Sequence, residues 1–118
     1  MSNTDVTVSK ASIDDFQSDG VVLLRNVFTP WVEGVCEAIE QNKRNPSWRE
    51  RTYQPEEGSG SEFFQDYCVW SKFSGYHELV TSSPMARIAA QLMRSRTARI
   101  FHDHVLVKEP GSLSLIHI

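Results

Sequence analysis

The sequence predicts an α+β domain, and three observations carry that prediction. Apolar residues recur at helical spacing after Ser83-Pro84, the pattern changes to a period of two from Thr97 to Lys108, and Pro110-Gly111 closes that stretch. The chain has 118 residues, enough for one small domain. Its 40% hydrophobic and 23% charged content suits a globular core rather than disorder.

The first 11 residues read as a loose polar arm. Ser12 to Phe16 reads as a short helix, with Ser12 as N-cap and Asp14 and Asp15 placed favourably for the helix dipole. Asp19-Gly20 ends it, because glycine accepts a left-handed cap at no steric cost. Val21-Val22-Leu23-Leu24 then has the continuous apolar character of a strand buried on both faces. Thr29-Pro30 announces a second helix, with Thr29 as N-cap and Pro30 at its first position. Trp31, Val32, Val35, Cys36 and Ile39 form its apolar stripe, and Lys43 and Arg44 suit its C-terminus.

Residues 45–62 carry Asn45, Pro46, Pro55, Gly58 and Gly60 without periodicity, the signature of a long loop. Phe63, Phe64, Tyr67, Trp70 and Phe73 follow as aromatic material for the core. Ser83 is the expected cap and Pro84 the first position of the next helix. Its core stripe is Met85, Ile88, Ala89, Leu92 and Met93. In the final strand, Ala98, Ile100, His102, His104, Leu106 and Lys108 share one face, and Arg99, Phe101, Asp103, Val105 and Val107 the other.

A net charge of −3 supplies no electrostatic attraction toward nucleic acid or anionic membrane, and the apolar runs are too short to span a bilayer. The polar, acidic start differs from a secretory leader. Two cysteines, Cys36 and Cys68, lack zinc-site spacing and do not make a disulfide scaffold. A soluble, cytoplasmic domain, with neither nucleic acid nor membrane as partner, is the expectation. Charge is uneven: residues 1–40 hold seven acidic and two basic side chains, and residues 81–118 hold two and five. Arg87, Arg94, Arg96 and Arg99 dominate the second group, as a solvated face or a phosphate-binding one.

His102-Asp103-His104 is the densest group of potential ligands. Alternate strand residues share a face, so His102 and His104 could reach one metal ion, and Glu109 extends the spacing to a cupin-like H-x-H-x4-E. The glycines that usually flank the cupin pattern are missing. No nucleophile elbow, P-loop or dinucleotide fingerprint is present.

The order of signals supports a more specific comparison. Asp15-Phe16 with Asp19-Gly20-Val21-Val22-Leu23-Leu24-Arg25-Asn26-Val27-Phe28 resembles the opening of the phytanoyl-CoA dioxygenase family. Met85 to Met93 is similar to that family's following helix, and Arg99 to Gly111 to its strand ahead of the metal site. The resemblance covers residues 13–112 and implies helices followed by the first strands of a double-stranded β-helix, or jelly roll. It also implies Fe(II) held by two histidines and a carboxylate, 2-oxoglutarate as cosubstrate, and hydroxylation of an aliphatic C–H bond.

By that resemblance, Lys108 and Asp103 are the candidate cofactor-binding residues: Lys108 for a carboxylate, Asp103 to orient a ligand or a neighbouring group. Regular alternation puts them on opposite faces, so a bulge or twist would be needed for both to face inward. The family's H-x-D motif, expected soon after Lys-Glu-Pro-Gly, is missing from the sequence. Leu113 to Ile118 matches the translation of a sequencing-library adapter, so these residues read as a scar. The expectation is therefore a fragment, residues 12–112, that is truncated before its iron ligands and inactive alone. Two other readings stay open: a cupin-like metal protein using His102, His104 and Glu109, or a small non-catalytic binding domain formed by the residue 45–62 loop and the arginine-rich face.

Overall fold

The computed structural model describes residues 5–54 and 61–111. Among these, the chain runs α1 (Lys10–Asp19), α2 (Thr29–Arg44), β1 (Phe63–Tyr67), α3 (Ser74–Ser82), α4 (Met85–Leu92) and β2 (His104–Lys108). The mixture of helix and strand agrees with the expected α+β class. The sheet among the described residues has two antiparallel strands, pairing Phe63 with Lys108, Gln65 with Leu106 and Tyr67 with His104.

Local chemistry explains most of the boundaries. Helix α1 starts two residues ahead of Ser12, because Ser9 is the cap: its Oγ accepts the Ser12 N–H at 3.1 Å. Gly20 takes φ +77° and its N–H closes on the Phe16 carbonyl at 2.8 Å, the expected left-handed stop. The segment ahead of α1, expected as a loose arm, is tied down at Val6 and Val8 by the Gln91 amide. Thr29 is the first residue of α2 rather than its cap, with its hydroxyl donating to the Asn26 carbonyl. The buried side of α2 is Trp31, Ala38 and Asn42, joined by partly buried Val35 and Ile39. Val32 and Cys36, expected in that stripe, are exposed, since the face turned to α3 lies one residue round the helix.

Helix α3 is not apparent from the sequence pattern, where Phe73 to Ser82 shows no cap and little apolar periodicity. It forms because Phe73 and Tyr76 bury themselves with Ala38 and Val69 in the main core. Two glycines let α2 and α3 approach closely: a Cβ on Gly75 would lie 1.9 Å from the Gly34 carbonyl oxygen. Ser83 ends α3 by donating to the Leu79 carbonyl, and its Oγ also accepts the Met85 N–H, so α4 begins one residue later than expected. Ile88 is its buried member, while Met93, expected in the core, is half exposed.

Two strand expectations change. Residues 21–24 form no strand among the described residues, and Val21 and Leu23 are each 70% exposed. Strand β2 covers only His104–Lys108, because β1 offers a five-residue ladder and residues 97–103 have no partner strand among the described residues. The opposite edge of β1 is met by the middle of the preceding loop, where Tyr53 bridges Phe63 and the Arg51 N–H donates to the Gln65 carbonyl. The rest of the expected loop at 55–60, and the adapter-like residues 113–118, lie outside the described residues.

Candidate functional site

Strand β2 separates two environments by its two-residue alternation. Val105 and Val107 turn toward the body of the fold and are partly buried, while His104, Leu106 and Lys108 are exposed on the other face. Lys108 is exposed at the β2 side of this face, paired across the sheet with buried Phe63, and no carboxylate pairs with it among the described residues. Four residues back on this face, the His104 ring stacks on Tyr67 with centroids 3.9 Å apart. Partial desolvation holds the His104 imidazole below its ordinary value; the charge of His102 acts in the same direction and Asp103 opposes it.

Asp103 is placed away from Lys108, as alternation requires, and it acts on the chain that follows β1. Its backbone carbonyl accepts the Cys68 N–H at 3.0 Å, and its Oδ2 accepts the Val69 N–H at 3.0 Å. These bonds hold a sharp turn in which Cys68 takes φ +55°. Asp103 Oδ1 is buried without a donor among the described residues.

The three residues of the cupin-like pattern do not converge. His104 lies against Tyr67, Glu109 faces Lys43 at 3.7 Å, and His102 packs edge-on beside Phe101. Among the described residues, no three His, Cys, Asp or Glu side chains come together as a metal-binding group. The described residues therefore do not by themselves supply an iron site. Two of the four arginines form ion pairs: Arg87 faces Asp5 at 3.7 Å and Arg94 binds Asp14 at 2.9 Å.

A polar centre that the sequence pattern does not reveal lies behind β1. Asp66 is wholly buried and collects Asn42 Nδ2 at 2.8 Å, Ser47 N–H at 2.7 Å, Ser47 Oγ at 2.5 Å and Tyr67 N–H at 2.8 Å. Tyr76 extends the network by donating to Asn42 Oδ1 at 3.2 Å. Burial alone raises the Asp66 carboxyl, but the donors from Ser47, Asn42 and Tyr67 outweigh it and leave the group below its ordinary value. The Tyr76 hydroxyl is pushed up to about 12 by burial first, then by the charges of Asp66 and Asp103. One sequence signal could have found this centre: Asn42 falls on the buried stripe of α2, where an unpaired amide would be costly.

A cleft of about 370 Å³ lies between α2 and α3, lined by Trp31, Glu37, Gln41 and Glu78 among others. No helix among the described residues is long and apolar enough to cross a membrane. No family model matches this chain, and no curated protein or solved structure matches it.

Proposed function

We propose that this chain is the N-terminal part of a Fe(II)- and 2-oxoglutarate-dependent dioxygenase of the phytanoyl-CoA dioxygenase type, whose jelly roll is completed by further polypeptide. The observation that supports it most is the open face of β2, which carries Lys108 with no carboxylate partner among the described residues. A cation fixed on a strand is suited to receive the carboxylate of a small dicarboxylic acid. The apolar residues Val21, Leu23 and Phe101, exposed here, are suited to packing against additional strands.

In such an enzyme, the bound iron and 2-oxoglutarate supply oxidative decarboxylation coupled to hydroxylation of an aliphatic carbon. This chain's residues contribute otherwise. Lys108 binds and orients an anionic group, and Asp103 holds the Cys68–Val69 turn beside β2. The Asp66 network ties β1 to α2 and to the loop that follows it. Small organic or acyl molecules are the substrate class, with nucleic acid and membrane outside it.

The test is to sequence the source gene through and beyond the codons for Gly111 and Ser112. A continuing frame with an H-x-D motif soon after supports the reading. The complete protein should then consume oxygen only with 2-oxoglutarate, and Lys108→Ala should raise KM for 2-oxoglutarate roughly tenfold or more, the loss of one charge-assisted contact. A continuing frame without that motif, or a natural stop after Ile118, sinks it.

A further inference from the structure

The N-terminal segment and the rest of the fold are joined by a different kind of contact from the one that holds the core. No residue of α1 is buried, with Ile13 and Phe16 only half-buried, and ahead of it only Val8 among the described residues is fully covered. Several of the connections to α4 are polar. The Gln91 side chain serves residues 6 and 8 as a neighbouring strand would, its Oε1 accepting the Val8 N–H and its Nε2 donating to the Val6 carbonyl, both at 2.8 Å. The same amide is oriented from within α4 by a bond to the Arg87 carbonyl at 3.1 Å.

Gln17 Nε2 donates to the Leu92 carbonyl at 2.7 Å, at the end of α4. Two exposed ion pairs flank the amide contacts, Asp5 with Arg87 and Asp14 with Arg94. After Gly20, Val21 to Leu24 has no helix or strand, and this stretch can act as slack between α1 and α2. The core behind it, Ala38, Val69, Phe73 and Tyr76, uses no residue of this segment.

We propose that residues 5–20 form a latch that releases from α4 as a unit while the α2–α3 core and the β1–β2 sheet stay closed. Exposed ion pairs and an amide clasp contribute little against the entropy of a freed segment, whereas buried apolar contacts hold the remainder. Opening leaves Arg87 and Arg94 without their Asp5 and Asp14 partners. This inference is independent of the proposed enzymatic function.

Amide hydrogen exchange on the full chain tests it. The amides of Val8 and α1 should exchange through an opening that leaves those of Phe63–Tyr67 protected. Raised salt should speed the first group severalfold and leave the second unchanged, because it screens the two exposed pairs. Gln91→Ala should speed exchange at Val8 and α1 roughly tenfold, the loss of two hydrogen bonds to one clasp, without affecting β1. Equal protection of α1 and β1 with a common denaturant dependence would overturn the latch, as would a Gln91→Ala effect shared equally by both or absent from α1. The salt and denaturant series use the unmodified chain, so the proposal stays falsifiable if the variant fails to fold.

Discussion

Asp66 shows how a single buried charge can organise this fold. Its oxygens take four donors from α2, the loop after it and β1 itself, so truncation would strand several donors at once. Asp66→Ala should cost roughly 3 kcal/mol in urea unfolding, the scale for breaking a buried charged network, with Asp66→Asn costing less because it retains one acceptor. The pH dependence has a definite sign. A carboxyl held below its ordinary value of 3.8 stabilises the fold fully above that value, and the contribution disappears as pH falls through the lower folded-state value. The wild type should therefore lose stability below about pH 4 more steeply than Asp66→Asn, which unfolding midpoints across pH would measure. His104 offers a second check: its imidazole should titrate below the ordinary 6.5, and His102→Ala should raise it, as read by proton NMR. A folded-state value above 6.5 would contradict the geometry around Tyr67.

Two helices meet through their glycines, and the two positions are not equivalent. A methyl group at Gly75 would drive into the Gly34 carbonyl, with the Ala38 side chain also 3.0 Å away, so Gly75→Ala must push α3 off α2. A loss of about 3 kcal/mol is expected, at the upper end of overpacking effects. At Gly34 the same methyl meets only the Gly75 Cα at 3.8 Å, an ordinary contact. Gly34→Ala should therefore be neutral or stabilise α2 by up to about 1 kcal/mol through helix propensity. Thermal unfolding of the two variants side by side checks the asymmetry: equal destabilisation would mean that Gly34 is packed as tightly as Gly75, and two harmless variants would place the helices further apart than described. At this scale sequence reasoning found α2 and α4 through their proline starts and their stripes. It missed α3, whose formation rests on partners distant in sequence.

Over the whole molecule, apolar surface is left in the open. Phe101 is 94% exposed, and Trp48, Val21 and Leu23 are each at least 70% exposed. The outer edge of β2 also has no neighbour among the described residues. Such a surface predicts self-association when the chain is expressed alone. Sedimentation should show concentration-dependent oligomers, and the double variant Leu23→Lys with Phe101→Ser should reduce them without lowering the unfolding midpoint appreciably. A monomer at all concentrations would argue against the proposed larger sheet and favour a self-sufficient small domain.

The α+β class, the Gly20 stop, the second helix, the helix after Pro84 and the strand before Pro110 were legible in the sequence alone. Each depends on residues close together in the chain, through caps, proline geometry or periodicity. The opposite facing of Asp103 and Lys108 was legible for the same reason, since strand alternation is local. Tertiary structure decided which side of α2 is buried, how much of residues 97–108 pairs, and that Val21 to Leu24 does not. It also made Asn42, Ser47, Asp66 and Tyr76 one network and tied residues 6 and 8 to Gln91. Those outcomes depend on groups far apart in sequence satisfying one another's hydrogen bonds or excluding water together, which no local pattern records.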